Sequence, residues 1–239
     1  RCLAEAAPPR GRDMTATAVH APTLATGRVP EFRYGVVMLI VLALVTFEIV
    51  APDADWARAV LVALAGGALT VAVATSRARA SIRIRRARIV GAISLVVVLG
   101  VATGVLSAAV TFAVVTVLIG AIPVTLVGGL LRLVREQGVH IQAVAGALAL
   151  YLLGGLLFAS VIAFVAHVQN EAYFVQGPHV SNGDRVYYSF TVFTTTGFGD
   201  YTAAHPVGHT LAVLEMLTGQ LYLVTVIGVM IGHYVSRRK

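Results

Sequence analysis

The run Thr194-Thr195-Thr196-Gly197-Phe198-Gly199-Asp200 gathers the residue types with the most distinctive chemistry in this chain. A monovalent cation that sheds its water needs other oxygens, and backbone carbonyls stacked in rings supply them. For successive carbonyls to face one axis, alternate residues must reach backbone conformations closed to most side chains. Glycine at every second position permits this, and Gly197 and Gly199 have that spacing. Thr195 can add a hydroxyl at the inner entrance. Phe198 is expected to turn its ring away from the axis and wedge it against neighbouring helices. Asp200 would close the outer end with a carboxylate that pairs behind the strand and attracts cations.

Such a segment needs a scaffold. It lies in the connection 170–209 between two long apolar runs, just after 186–194, a stretch without Gly or Pro. That stretch makes about three turns of helix, too short to cross a bilayer. Irregular backbone at membrane depth is tolerated where it is buried in protein or lines a watery cavity. The whole chain suits a membrane: of 239 residues 58% are hydrophobic and 12% charged, against about one half and one quarter in soluble domains. This excludes a soluble enzyme, a disordered polypeptide and a nucleic-acid binder built on basic patches. The net charge of +7 is read first as membrane topology. The single cysteine, Cys2, excludes an intrachain disulfide or a Cys-based metal site.

The apolar runs are Tyr34–Val50, 56–75, 89–131, Ile141–Val168 and 207–235. Residues 89–131 hold 43 positions without a formal charge, which suits two crossings with a break near 100–107. The first run reads as a retained helix rather than a signal peptide. Basic flanks (Arg77, Arg79, Arg83, Arg85, Arg86 and Arg88; Arg132 and Arg135; Arg237, Arg238 and Lys239) put these connections and both termini in the cytoplasm. The expectation is an all-α integral membrane protein, multi-pass in the plasma membrane. It would have six transmembrane helices, with a re-entrant pore helix and selectivity-filter loop between helices 5 and 6. Three regions follow: a mobile cytoplasmic tail at 1–33, a four-helix transmembrane domain at 34–135 and a pore domain at 136–239. Met14 leaves open whether residues 1–13 belong to the native chain.

In that setting the run 194–200 resembles the selectivity-filter signature of the potassium-channel family, Thr-Thr-Val-Gly-Tyr-Gly-Asp. Thr196 stands where valine is usual and Phe198 where tyrosine is commonest. The resemblance covers about residues 139–236 and is to a six-span bacterial-type channel without a charged voltage sensor. It implies passive K+ conduction rather than catalysis. The ion path would be lined by Thr195, Thr196, Gly197, Phe198 and Gly199, with K+ held at Thr195, Thr196, Gly197 and Phe198. Thr194, Asp200 and Glu215 would support the filter, and Gly219 would be a gating hinge. No cofactor is implied besides K+ as the permeant ion. The implied partners are the lipid bilayer and three further copies of the chain, because a cage of this type needs four strands about an axis. No nucleic-acid partner is implied.

Other residues carry competing readings. Glu215, an ionisable group inside an apolar run, is a site candidate by default; it reads equally as a proton-sensitive group behind the filter or as a packed carboxyl. Gln220 and Tyr222 read as packing or cavity-lining residues. Glu48 and Arg58 flank a short loop and suit a structural pair. His140, His167, His179, His205, His209 and His233 read as interface residues rather than metal ligands. The run 108–131 has no arginine before Arg132, so little voltage dependence is expected. Alternatives stay open: a poorly selective monovalent cation channel, a secondary transporter, or a non-conducting membrane scaffold.

Overall fold

The computed structural model describes residues 34–75, 80–137, 141–169 and 171–236. The tail 1–33 and His140 lie outside them. Seven helices follow one another: α1 Tyr34–Val50, α2 Asp55–Thr75, α3 Ala80–Ala102, α4 Ala108–Gln137, α5 Ile141–Val168, α6 Asn182–Phe193 and α7 Pro206–Ser236. The chain divides at Glu31/Phe32, and every described helix lies in the second unit.

The expectation of six spans is corrected. Among the described residues, four helices are long and apolar enough to cross a membrane, over Asp55–Val73, Ala108–Arg135, Ile141–Val168 and Pro206–Met230. The helix α1 has 17 residues, about 25 Å at 1.5 Å per residue, short of a hydrocarbon core about 30 Å thick. In α3 only Arg88–Ala102 is apolar. The turn at 103–107 falls too early in the uncharged stretch to leave two full crossings, giving α4 nearly all of the span-length sequence. Parity then no longer gathers the basic clusters on one side. The expected filter strand is absent too: the described residues hold only an isolated antiparallel bridge, Phe174 to Ala203. Among the described residues, seven helices, four of them span-length, replace the expected six-span fold with its re-entrant pore helix.

Packing explains why the short helices stay in the bundle. Val37, Val41 and Leu44 of α1 are buried with Leu61, Val62 and Ala65 of α2, Val115, Ile119 and Ile122 of α4, and Ala149, Leu153 and Leu156 of α5. Between apolar helices in lipid, close approach of small residues and shared polar contacts replace the hydrophobic effect as the cohesive force. The buried face of α5 is accordingly rich in Ala and Gly. Thr116 of α4 and Ser160 of α5 hydrogen-bond across the helix pair at 3.2 Å. Leu95, Val96, Val117 and Val124 face outward, as a lipid-facing surface does.

Helix α6 is different in kind: short, polar at its start and buried at its end. Ser181 caps it, accepting from the Asp184 backbone N–H at 3.1 Å while its own N–H donates to Asp184 Oδ2 at 3.1 Å. This reciprocal box satisfies two donors that a helix start leaves open. Its last turn buries Val192 and Phe193, and the chain leaves at Thr194 straight into 194–200.

Candidate functional site

The segment 194–200 is exposed in the single chain and is shaped by three positive φ angles at alternate residues: Thr195 at 58°, Gly197 at 53° and Gly199 at 80°. At Gly197 and Gly199 the absence of a Cβ makes this conformation inexpensive. At Thr195, β-branched, it is an outlier that surrounding contacts must hold. Those contacts are visible. The Thr195 N–H donates to Val192 O at 2.8 Å, and the N–H groups of Thr196 and Gly197 converge on Thr191 O at 2.8 and 3.1 Å. The Thr195 hydroxyl accepts from Gln220 Nε2 of α7 at 2.7 Å. Thr194 Oγ1 donates to Phe190 O at 2.7 Å and lies 2.9 Å from the Thr196 hydroxyl. Gln220, read from sequence as a packing or cavity-lining residue, touches the segment directly.

Glycines let α6 sit this close. A Cβ on Gly154 would lie 2.6 Å from the Phe193 ring, and one on Gly155 2.8 Å from the Phe190 ring. Gly219 of α7 meets the Phe193 backbone carbonyl, which a side chain there would strike. Close approach is thus what Gly219 provides in this conformation. Gly154 and Gly155 escaped the sequence reading, since nothing distinguishes them there from other small residues of an apolar helix. Tyr151 adds a ring 4.9 Å from Phe193 and another contact, 5.7 Å, to Tyr222, whose hydroxyl donates to Ala147 O at 2.6 Å.

The far end of the segment is strapped to the chain that precedes α6. Gln176 donates to the Asp200 carbonyl and accepts from the Thr202 N–H at 3.3 Å. Val175 and Ala204 N–H groups pair with Thr202 and Tyr173 carbonyls at 3.0 and 2.9 Å. Two phenols of opposite provenance complete the strap. Tyr187 of α6 faces Asp200, and Tyr201 faces Asp184. Each phenol is pushed upward first by its interaction with that carboxylate. Asp184 is held below the usual carboxylate range: partial burial raises it, but the bonds from Ser181, with the Tyr201 phenol and the nearby Arg185, outweigh this. Phe198 is 69% exposed and lies parallel to Tyr187, centroids 6.3 Å apart. Phe174 meets Tyr188 edge-on at 5.0 Å.

The remaining candidates separate from this site. Arg58 pairs with Asp55, three residues away on the same helix, rather than with Glu48. Glu48 is buried, with Oε2 unpartnered. His205 lies 3.2 Å from Glu171 and His209 Nε2 2.9 Å from Ala203 O, while His167 Nδ1 is 2.7 Å from Ala163 O. No group of three or more metal-ligating side chains occurs among the described residues. Of the remaining histidines, His179 lines a polar cavity of about 390 Å³ with Asp53, Arg58 and Arg185.

Residues 146–235 match a family model described as "Ion channel". The matched stretch runs from α5 through α6 and the 194–200 segment into α7, well under half of the chain. No curated protein and no solved structure matches. With four candidate spans, the match points to a four-span rather than a six-span channel architecture. Match and apolar helices together support a general ion-channel or ion-transport function and a multi-pass membrane location.

Proposed function

We propose that the chain forms a potassium-selective channel in the plasma membrane, passing K+ passively through a pore shared by four copies. The observation that carries this is the alternation of left-handed backbone at Thr195, Gly197 and Gly199, inside the stretch similar to ion channels. Alternating hand is what successive carbonyls need in order to face one line, and rings of such carbonyls replace the water shell of an alkali cation. The oxygens of Thr195, Thr196, Gly197 and Phe198 are the proposed K+ ligands, and Gly199 completes the lined path. Thr194, Asp200 and Glu215 support it from behind, and Gly219 is the proposed gating hinge.

The tetramer rests on two exposed features. Segment 194–200 is uncovered in one chain. So is much of α7, including Leu214, Leu217, Leu221 and Val224. A closed ring of copies covers both. Helices α1 to α4, sharing one core with α5, would form a four-helix region that braces the pore-forming 136–239.

The test is flux in liposomes containing the purified protein, with reversal potentials under opposed K+ and Na+ gradients. A reversal potential near that of K+ and block by barium are expected; no flux would refute the reading. Thr196 favours a second reading, a channel of the same kind with little preference among monovalent cations. Its hydroxyl is turned to Thr194, where valine would pack an apolar group. Near-equal permeability to Na+ and K+ would decide for it.

A further inference from the structure

Glu215 of α7 has no exposed surface and stands where α5, α6 and α7 meet. Three oxygens converge there. Ser189 Oγ of α6 lies 2.8 Å from the Gly155 carbonyl of α5 and in hydrogen-bond contact with Glu215 Oε1. A serine hydroxyl carries one proton, and a peptide carbonyl only accepts. If Ser189 donates to Gly155, the proton between Ser189 and Glu215 must belong to Glu215. If Ser189 donates to Glu215 instead, two lone pairs face each other across 2.8 Å at Gly155. Were the carboxyl ionised in that arrangement, its second oxygen, Oε2, would carry charge while buried without a partner. An unpaired buried charge costs far more than an unpaired neutral carbonyl. No ion pair among the described residues involves Glu215.

The titratable groups facing it are the phenols of Tyr188 on α6 and Tyr173 on the limb before α6. Burial pushes Tyr188 up to about 12 and Tyr173 upward as well. Both stay neutral through moderately alkaline conditions, and the Tyr173 hydroxyl is itself buried without a partner.

We propose that Glu215 is a positioning residue acting as a neutral acid: it donates to Ser189, which donates on to Gly155, a one-way chain that locks α6, and with it segment 194–200, to α5 and α7. The effect on flux rests on the proposed channel function; the protonation state does not. Ionising Glu215 turns the Ser189 hydroxyl round, releases the Gly155 carbonyl and loosens the lock.

Reconstituted protein is assayed for K+ flux across pH together with infrared spectroscopy of the carboxyl carbonyl. Wild type is expected to lose flux reversibly, about tenfold, as the medium is made alkaline. Glu215→Gln, whose amide still donates to Ser189 but cannot ionise, is expected to give a flat pH profile. Ser189→Ala should lower flux about tenfold at every pH. At neutral pH the wild type should show a protonated carboxylic-acid band that Glu215→Gln removes. A band unchanged by that substitution, or matching pH profiles for wild type and Glu215→Gln, overturns the proposal. A band that behaves as expected in protein that conducts at no pH overturns the channel reading instead and leaves the proton chain standing.

Discussion

At Thr195 a β-branched residue occupies backbone space that glycine favours, with φ at 58°, and it is held there by neighbours rather than by its own preference. Replacing Gly197 with Ala imposes the same strain where φ is 53°, at about 1 to 3 kcal/mol. Flux in liposomes should fall at least tenfold while the proposed tetramer persists on native gels. The capping box makes a second prediction. Asp184 is lowered in the folded chain relative to the unfolded one. Its stabilisation is therefore present above the unfolded value and lost as pH falls through the folded one. Thermal melting in detergent should drop on the acid side, and Asp184→Asn should flatten that drop. Ser181→Ala should cost about 1 kcal/mol at neutral pH. Gly197 and Gly199 were legible from sequence because their spacing has few other uses. The bend at Thr195 was not, since no threonine announces a positive φ; nor was Ser189, which gains meaning only when folding brings Glu215 and Gly155 to it.

Helix length was the element-scale property that residue counting misjudged. A run such as Tyr34–Val50 looks long enough to span, yet 17 residues of helix fall a few ångströms short of the hydrocarbon core. The seven elements also meet through contacts that hydropathy does not encode. Gly154 and Gly155 receive the rings of Phe193 and Phe190, and adding side chains there overpacks the α5–α6 seam. Gly155→Val is expected to destabilise the protein by about 1 to 3 kcal/mol, read as a lower melting temperature. A Gly154→Val variant should behave alike, while Gly128→Ala, where nothing lies near, should be neutral. Helix α4 keeps its arginines to the far end, at Arg132 and Arg135. Charge that does not cross the field does no gating work, so the current–voltage relation should be shallow; steep activation would contradict it.

For the molecule as a whole, the stretch similar to ion channels begins at Gly146, while α1, α2 and α4 share one core with α5. The portion matching the family is thus built into helices that do not match. Removing residues 34–135 should strip cover from Leu153 and Leu156, and the shortened chain should aggregate on extraction, which size-exclusion chromatography would reveal. Native mass spectrometry should give four chains per particle; stable monomers in a conducting preparation would refute the tetramer. The strap between the limbs flanking α6 carries a last consequence. Because Val175, Gln176 and Tyr173 bond to residues on the far side of the segment, the excursion from α5 to α7 is a ring fastened at its neck. A protease nick at the exposed turn beside Pro178 would open the covalent path and leave the ring shut, so the two fragments should migrate together until denaturant parts them.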